Sequence, residues 1–200
     1  MILNFQRLTF EFDDREWVTP FIYDLSPVYA RIGVLQGELT EPPGPEGVVR
    51  RRMHSTMAMD IVAMYKTGEG EYHLFLIEVK DFRGHRIENK PRLEGKDLAL
   101  EVALKARDTA ARLAGAYFTS SSAFPKGFVD ALARTKAIHV VAWVEADQPK
   151  EGWRLWAKVQ QDKLERKISW LDHHPRVMNQ SIGSRLPGVS VRQRLPIQDS

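Results

Sequence analysis

Met59-Asp60-Ile61-Val62-Ala63-Met64-Tyr65, a break at Lys66 to Glu71, and Tyr72-His73-Leu74-Phe75-Leu76-Ile77-Glu78-Val79-Lys80 form the stretch whose reading decides the fold. Both runs are dense in apolar, β-branched and aromatic residues, and Gly68-Glu69-Gly70 between them supplies the backbone freedom of a tight reversal. They predict two strands joined by a hairpin. A turn centred on Glu69 pairs residues symmetrically about it and sets Asp60 opposite Glu78, with their Cβ atoms about 5 Å apart on one face. Lys80, two residues beyond Glu78, shares that face because side chains alternate along a strand.

The rest of that face is Ala58, Val62, Met64, Leu74 and Leu76, and the reverse face, Met59, Ile61, Ala63, Phe75, Ile77 and Val79, is apolar too. Strands apolar on both faces belong at the centre of a sheet covered on both sides. Two carboxylates and an ammonium therefore converge at one end of a buried surface, where isolated charges are costly. They must neutralise one another, reach solvent, or bind something.

Working outward, 200 residues with 43% hydrophobic content suit one domain with a sizeable core. The chain has no cysteine, which excludes disulfides and thiolate metal sites and gives no sign of an oxidising compartment. The N-terminus lacks a basic segment followed by an apolar one, and no apolar run approaches spanning length. The expectation is a soluble cytoplasmic protein without a membrane partner. The net charge is only +3, yet residues 1 to 47 hold three Lys/Arg against eight Asp/Glu, while residues 148 to 200 hold ten against five. A basic C-terminal quarter is compatible with a polyanionic partner and equally with an ordinary solvated surface.

Along the chain, Phe5 to Phe12 alternates as a strand with one wet face, whereas Trp17 to Leu39 is ambiguous between helix and strand. Glu41 to Gly47 is a proline- and glycine-rich loop. Arg50-Arg51-Arg52 lies just ahead of the first decisive strand, and suits either phosphate binding or a solvated edge strand. From about Leu93 to Phe118, Ala99, Val102, Ala103, Ala106, Ala110, Leu113, Ala114 and Tyr117 form a helical stripe of mostly small residues that lets a helix lie close to a sheet. Its charged flank, Glu101, Lys105, Asp108 and Arg112, offers i, i+4 pairs; Lys105 gains a further role if this edge overhangs the acidic site. Gly127 to Arg134 reads as a short helix and Ala137 to Val144 as another buried strand. His139 reads as a satisfied core or strand-end histidine and His173-His174 as surface or structural. Trp153 to Leu171 suggests a helix, with a strand at its start as the alternative, and Gly188 to Leu195 a basic alternating strand.

An aspartate on one strand, then Glu-x-Lys at the end of the next, followed by a helix and a buried strand, resembles the PD-(D/E)XK nuclease superfamily. Here the motif is Asp60 and Glu78-Val79-Lys80, with Met59 where the family name has proline. The resemblance covers roughly residues 48 to 145. It implies a single α/β domain over residues 1–200 with a restriction-endonuclease-like core, a central mixed β-sheet flanked by helices in αβββαβ order, and N- and C-terminal additions. Phosphodiester hydrolysis needs a cation to neutralise the phosphate, an activated water and a stabilised leaving oxygen. Mg²⁺ takes oxygen ligands and keeps several waters, so two carboxylates on adjacent strands suit it. By resemblance, Asp60 and Glu78 hold Mg²⁺ or Mn²⁺, the Val79 carbonyl supplements them, and Lys80 positions or deprotonates the water. Family members often add an upstream acidic residue, for which Glu16, Glu38 and Glu46 are candidates.

The sequence therefore leaves two functions open. One is a metal-dependent nuclease acting on nucleic acid, DNA in the first instance; the other is a catalytically inactive module of the same fold that binds nucleic acid or a protein partner through its basic C-terminal quarter. No zinc finger or RNA-recognition signature accompanies the core, so substrate choice falls to the flanking segments, to a homodimer or to a partner protein. A plain strand-end ion pair between Lys80 and one carboxylate is the structural alternative to either.

Overall fold

A computed structural model describes residues 1–26, 29, 38–40, 50–52, 57–84, 97–119, 124–147, 150–181 and 186–194. In chain order these form β1 (Ile2–Phe5), β2 (Leu8–Phe12), β3 (Trp17–Ile22), β4 (Glu38–Thr40), β5 (Arg50–Arg52), β6 (Ile61–Lys66), β7 (Tyr72–Asp81), α1 (Asp97–Thr119), α2 (Phe128–Ala133), β8 (Thr135–Glu145), α3 (Lys150–Ile168), β9 (Arg176–Met178) and β10 (Val189–Gln193).

The decisive stretch folds as the hairpin its sequence predicts. β6 and β7 pair antiparallel from Ile61↔Ile77 to Lys66↔Tyr72, a register centred on Glu69. The turn closes through Gly70 N–H to the Thr67 carbonyl at 2.9 Å, with Gly70 at φ 79°, where a Cβ would be strained. β3 joins the other edge of β6 antiparallel, while β8 pairs parallel with β7 and β9 parallel with β8. The result is a mixed five-stranded sheet in the order β3-β6-β7-β8-β9. β3 bulges between Val18 and Phe21, around Pro20, which has no N–H to give a ladder.

The two faces of this sheet are covered differently. On one, Val62, Met64, Leu74, Leu76, Val140 and Ala142 pack against the three helices, through residues such as Ala99, Val102, Ala106, Phe128 and Trp153. On the other, Ile61, Ala63, Phe75, Ile77, Val79, Val141 and Trp143 meet Leu8, Phe10, Phe12 and Val189. Those last four come from a three-stranded antiparallel sheet, β1-β2-β10, and Phe10 sets its ring edge-on to Trp143 at 5.6 Å. The helices thus lie over one face of the central sheet and a second sheet covers the other. Met59, expected on the reverse face, packs with the helix-side core instead, because it precedes β6 and strand alternation has not yet begun.

β3, β6, β7, α1 and β8 follow one another as βββαβ, with β4 and β5 inserted after β3 and α2 after α1. Directly ahead of β3, where αβββαβ order places a helix, stands the β1–β2 hairpin. Phe5 to Phe12 is accordingly not one strand: Gln6 at φ 53° turns the chain between β1 and β2. α1 matches the helix expected from Leu93 to Phe118 over its described residues, from Asp97 on; Leu93 to Lys96 lie outside the described residues. Ala116 is buried where Ala114 was expected, and Arg112 is buried with its guanidinium stacked 4.6 Å from the Tyr29 ring, not on a solvated flank. Among the described residues no helix is long and apolar enough to cross a membrane.

Candidate functional site: a carboxylate pair bridged by two lysines

Asp60 sits one residue ahead of β6, and three hydrogen bonds fix the segment that carries it. Met57 N–H donates to Asp108 Oδ2 at 3.1 Å and Met59 N–H to Thr109 Oγ1 at 2.9 Å, which ties the strand to α1. Tyr23 N–H donates to the Asp60 carbonyl at 2.8 Å, which ties it to the end of β3. The Asp60 side chain then accepts from Val79 N–H through Oδ2 at 2.7 Å. This bond sets Asp60 against the Glu78-Val79-Lys80 end of β7, as the register predicts.

Glu78 is fully buried beneath α1, whose small residues let the helix lie close. Its Oε1 accepts from Lys105 Nζ at 2.6 Å and pairs with Lys80 Nζ at 2.8 Å. Lys80 also pairs with Glu101 Oε1 at 2.8 Å, and Lys105 stands 3.8 Å from Asp60 Oδ1. Charges of alternating sign thus run Asp60, Lys105, Glu78, Lys80, Glu101. Both ammoniums satisfy the same oxygen of Glu78, while Oε2 is buried with no hydrogen-bond partner among the described residues. An orphaned, fully buried carboxylate oxygen is costly unless something occupies it.

The electrostatics follow from burial. The Asp60 carboxyl is pushed up to about 7, first by desolvation and then by the neighbouring Glu78 charge, against the pull of Lys105, Val79 N–H and Lys80. Lys80 is depressed by burial, but Glu78 and Glu101 more than offset that and hold it above its ordinary value. Asp24, just past β3, is raised by burial and drawn back by the positive charge of Lys105 and by the Asp24 and Leu25 backbone N–H groups, so it lies within electrostatic reach of the site. Asp24 Oδ1 is likewise buried without a hydrogen-bond partner.

Of the residues the sequence singled out, Asp60, Glu78, Lys80 and Lys105 come together, and Val79 takes part through its N–H while its side chain packs on the opposite face. Glu16 does not join them. Its carbonyl accepts from Lys66 N–H at 2.7 Å, at the far end of β6 from Asp60, and its carboxylate packs beside Gly188. Glu38 lies in β4 and Arg50, Arg51 and Arg52 in β5, paired as Glu38↔Arg52, Leu39↔Arg51 and Thr40↔Arg50; Glu46 falls outside the described residues. Sequence reasoning missed Asp24, and it paired Glu101 with Lys105 along the helix, whereas Glu101 holds Lys80 across it. His139 lies 3.0 Å from a ring nitrogen of His73, a satisfied strand histidine as expected. Asp172 accepts from Val140 and His174 N–H groups.

Among the described residues no group of three or more His, Asp or Glu side chains is placed to hold a metal ion. Asp60 and Glu78 form a pair, which fits a cation that keeps several waters and takes only one or two protein carboxylates. The orphaned Glu78 Oε2 is the atom that fits it best. Comparison with protein-family models, with curated proteins and with solved structures found no match.

Proposed function

We propose that this chain is a metal-dependent nuclease of the PD-(D/E)XK type, hydrolysing phosphodiester bonds, DNA in the first instance, and working in the cytoplasm. The observation that carries the reading is Glu78: a carboxylate with no solvent exposure, one oxygen shared by two ammoniums and the other unpaired among the described residues, beside a second buried carboxylate one residue ahead of the adjacent strand. A purely structural ion pair has no use for that second oxygen. The βββαβ succession around the pair supports a restriction-endonuclease-like core.

In this reading Asp60 and Glu78, supplemented by the Val79 carbonyl, hold Mg²⁺ or Mn²⁺. When bound, the ion neutralises phosphate charge and acidifies water. Lys80, kept cationic by Glu78 and Glu101, holds the attacking water or a phosphate oxygen by charge and hydrogen bond and does not remove a proton. Glu101 is its positioning residue. Arg50, Arg51 and Arg52 are proposed to meet the phosphate backbone.

One observation favours the inactive binding module: two lysines already occupy Glu78 Oε1. The readings separate on one experiment, incubation of DNA and RNA substrates with Mg²⁺ or Mn²⁺ and wild-type, Asp60→Ala or Lys80→Ala protein. The nuclease gives cleavage that both substitutions abolish. Salt-sensitive binding without turnover, unaffected by Lys80→Ala, would establish the module instead.

A further inference from the structure

We infer that Lys105 is an exchangeable resident cation of the Asp60–Glu78 pair, displaced when a divalent ion binds and received by Asp24. The inference rests on the metal reading above and assigns two residues that reading does not use.

The two lysines differ in what they bridge. Lys80 joins Glu78 to Glu101 at 2.8 Å each, so a second carboxylate retains it whatever becomes of Glu78. Lys105 joins Glu78, at 2.6 Å, to Asp60, at 3.8 Å. Its ammonium therefore sits between the two carboxylates proposed as ligands, on Glu78 Oε1 and directly beside the unpaired Oε2 that a divalent ion of like charge would take. Both cannot occupy that space, because like charges so close repel strongly in a poorly solvated site.

Charge favours the exchange. With Asp60 ionised, Asp60, Glu78 and Glu101 against Lys80 and Lys105 leave one negative charge; replacing the Lys105 ammonium with a divalent ion leaves none. The displaced ammonium has a destination. Asp24 lies within electrostatic reach of Lys105, and although the Asp24 and Leu25 backbone N–H groups bond its carboxylate, its Oδ1 is buried with no hydrogen-bond partner among the described residues. A lysine has a flexible stem and three rotatable donors, which suit it to exchange one carboxylate for another.

The test is a calorimetric titration of Mn²⁺ into full-length wild type, Lys105→Gln, Asp24→Asn and the double variant. Lys105→Gln is expected to bind about tenfold more tightly than wild type, the scale of one charge-assisted hydrogen bond no longer broken. Asp24→Asn is expected to weaken binding several-fold in wild type and to have no effect in the Lys105→Gln background, where nothing needs receiving. Unchanged or weaker binding by folded Lys105→Gln, with wild type binding Mn²⁺, overturns the exchange and leaves the metal reading standing. Weakening by Asp24→Asn in both backgrounds overturns Asp24 as the receiver. Absence of binding to wild type and to Lys105→Gln alike overturns the metal reading itself. Should Lys105→Gln fail to fold, the Lys105 side-chain nitrogen resonance of wild type answers: a shift on adding Mg²⁺ supports the exchange, and an unmoved resonance at saturation overturns it.

Discussion

The backbone N–H of Val79 donates to Asp60 Oδ2 at 2.7 Å, one residue beyond the last rung of the β6–β7 ladder. That bond gives the Asp60 carboxylate two duties: it fastens the open end of the hairpin, and it faces Glu78 across the site. The duties separate by substitution. Asp60→Asn keeps an acceptor for Val79 and removes the buried charge, so its melting temperature at pH 8 should equal or exceed that of wild type while metal-dependent cleavage is lost. Asp60→Ala loses cleavage and also strands the Val79 N–H, at a cost of about 1–3 kcal/mol in chemical denaturation. Equal stability of the two variants would show that the hydrogen bond does not hold the strand end.

Stability should fall with rising pH in metal-free protein. Asp60 titrates at about 7 when folded, against 3.8 for the unfolded chain. Between those values the folded state holds a proton that the unfolded state has released, so stability declines through that window, fully retained below about pH 4 and lost above about pH 7. Melting curves from pH 5 to pH 8 should slope downward for wild type and flatten for Asp60→Asn. A slope identical in both proteins would place the titration elsewhere.

Glu78 should be the most sensitive residue of the site for folding. Replacing it with alanine leaves Lys105 without its 2.6 Å partner and Lys80 with Glu101 alone, in surroundings where Glu78 itself has no exposure. Breaking one side of a buried ion pair costs about 3–5 kcal/mol. Denaturant titration of Glu78→Ala should show a loss in that range. A loss below about 1 kcal/mol, the value of an exposed pair, would mean that the lysines are held by other groups.

Much of this arrangement is legible in the sequence because it is local. Alternation in Ile61 to Lys66 and Tyr72 to Asp81, with a glycine where the turn needs positive φ, fixes the register and hence the meeting of Asp60 with Glu78. The stripe around Val102 and Ala106 fixes which face of α1 lies on the sheet. Asp24 was not legible: it comes within electrostatic reach of Lys105 only because β3 pairs with β6 across a long connection in the sequence. Glu101 was misassigned for an energetic reason. An i, i+4 partner on a solvated helix is worth a few tenths of a kcal/mol, and the partly buried Lys80 beneath the helix is the stronger attraction. The β1–β2 turn was hidden because Gln6-Arg7 carries none of the residues that usually mark a hairpin.

Thr109 tests whether α1 positions the strand end that carries Asp60. It is fully buried, and its hydroxyl accepts from Met59 N–H, next to Asp60. Thr109→Val preserves the shape and removes the acceptor, and should cost about 1–3 kcal/mol by leaving that N–H unsatisfied. Amide exchange at Met59 should accelerate with it. Wild-type protection at Met59 in the variant would show that the strand is held without the helix.

The most direct measurement of the central claim is anomalous diffraction from crystals of the full chain soaked in Mn²⁺. The account predicts a peak between Asp60 and Glu78, with Glu78 Oε2 engaged and the Lys105 ammonium moved away from Glu78. A crystal that takes up no manganese there, with Lys105 still bridging Glu78 and Asp60, would contradict it.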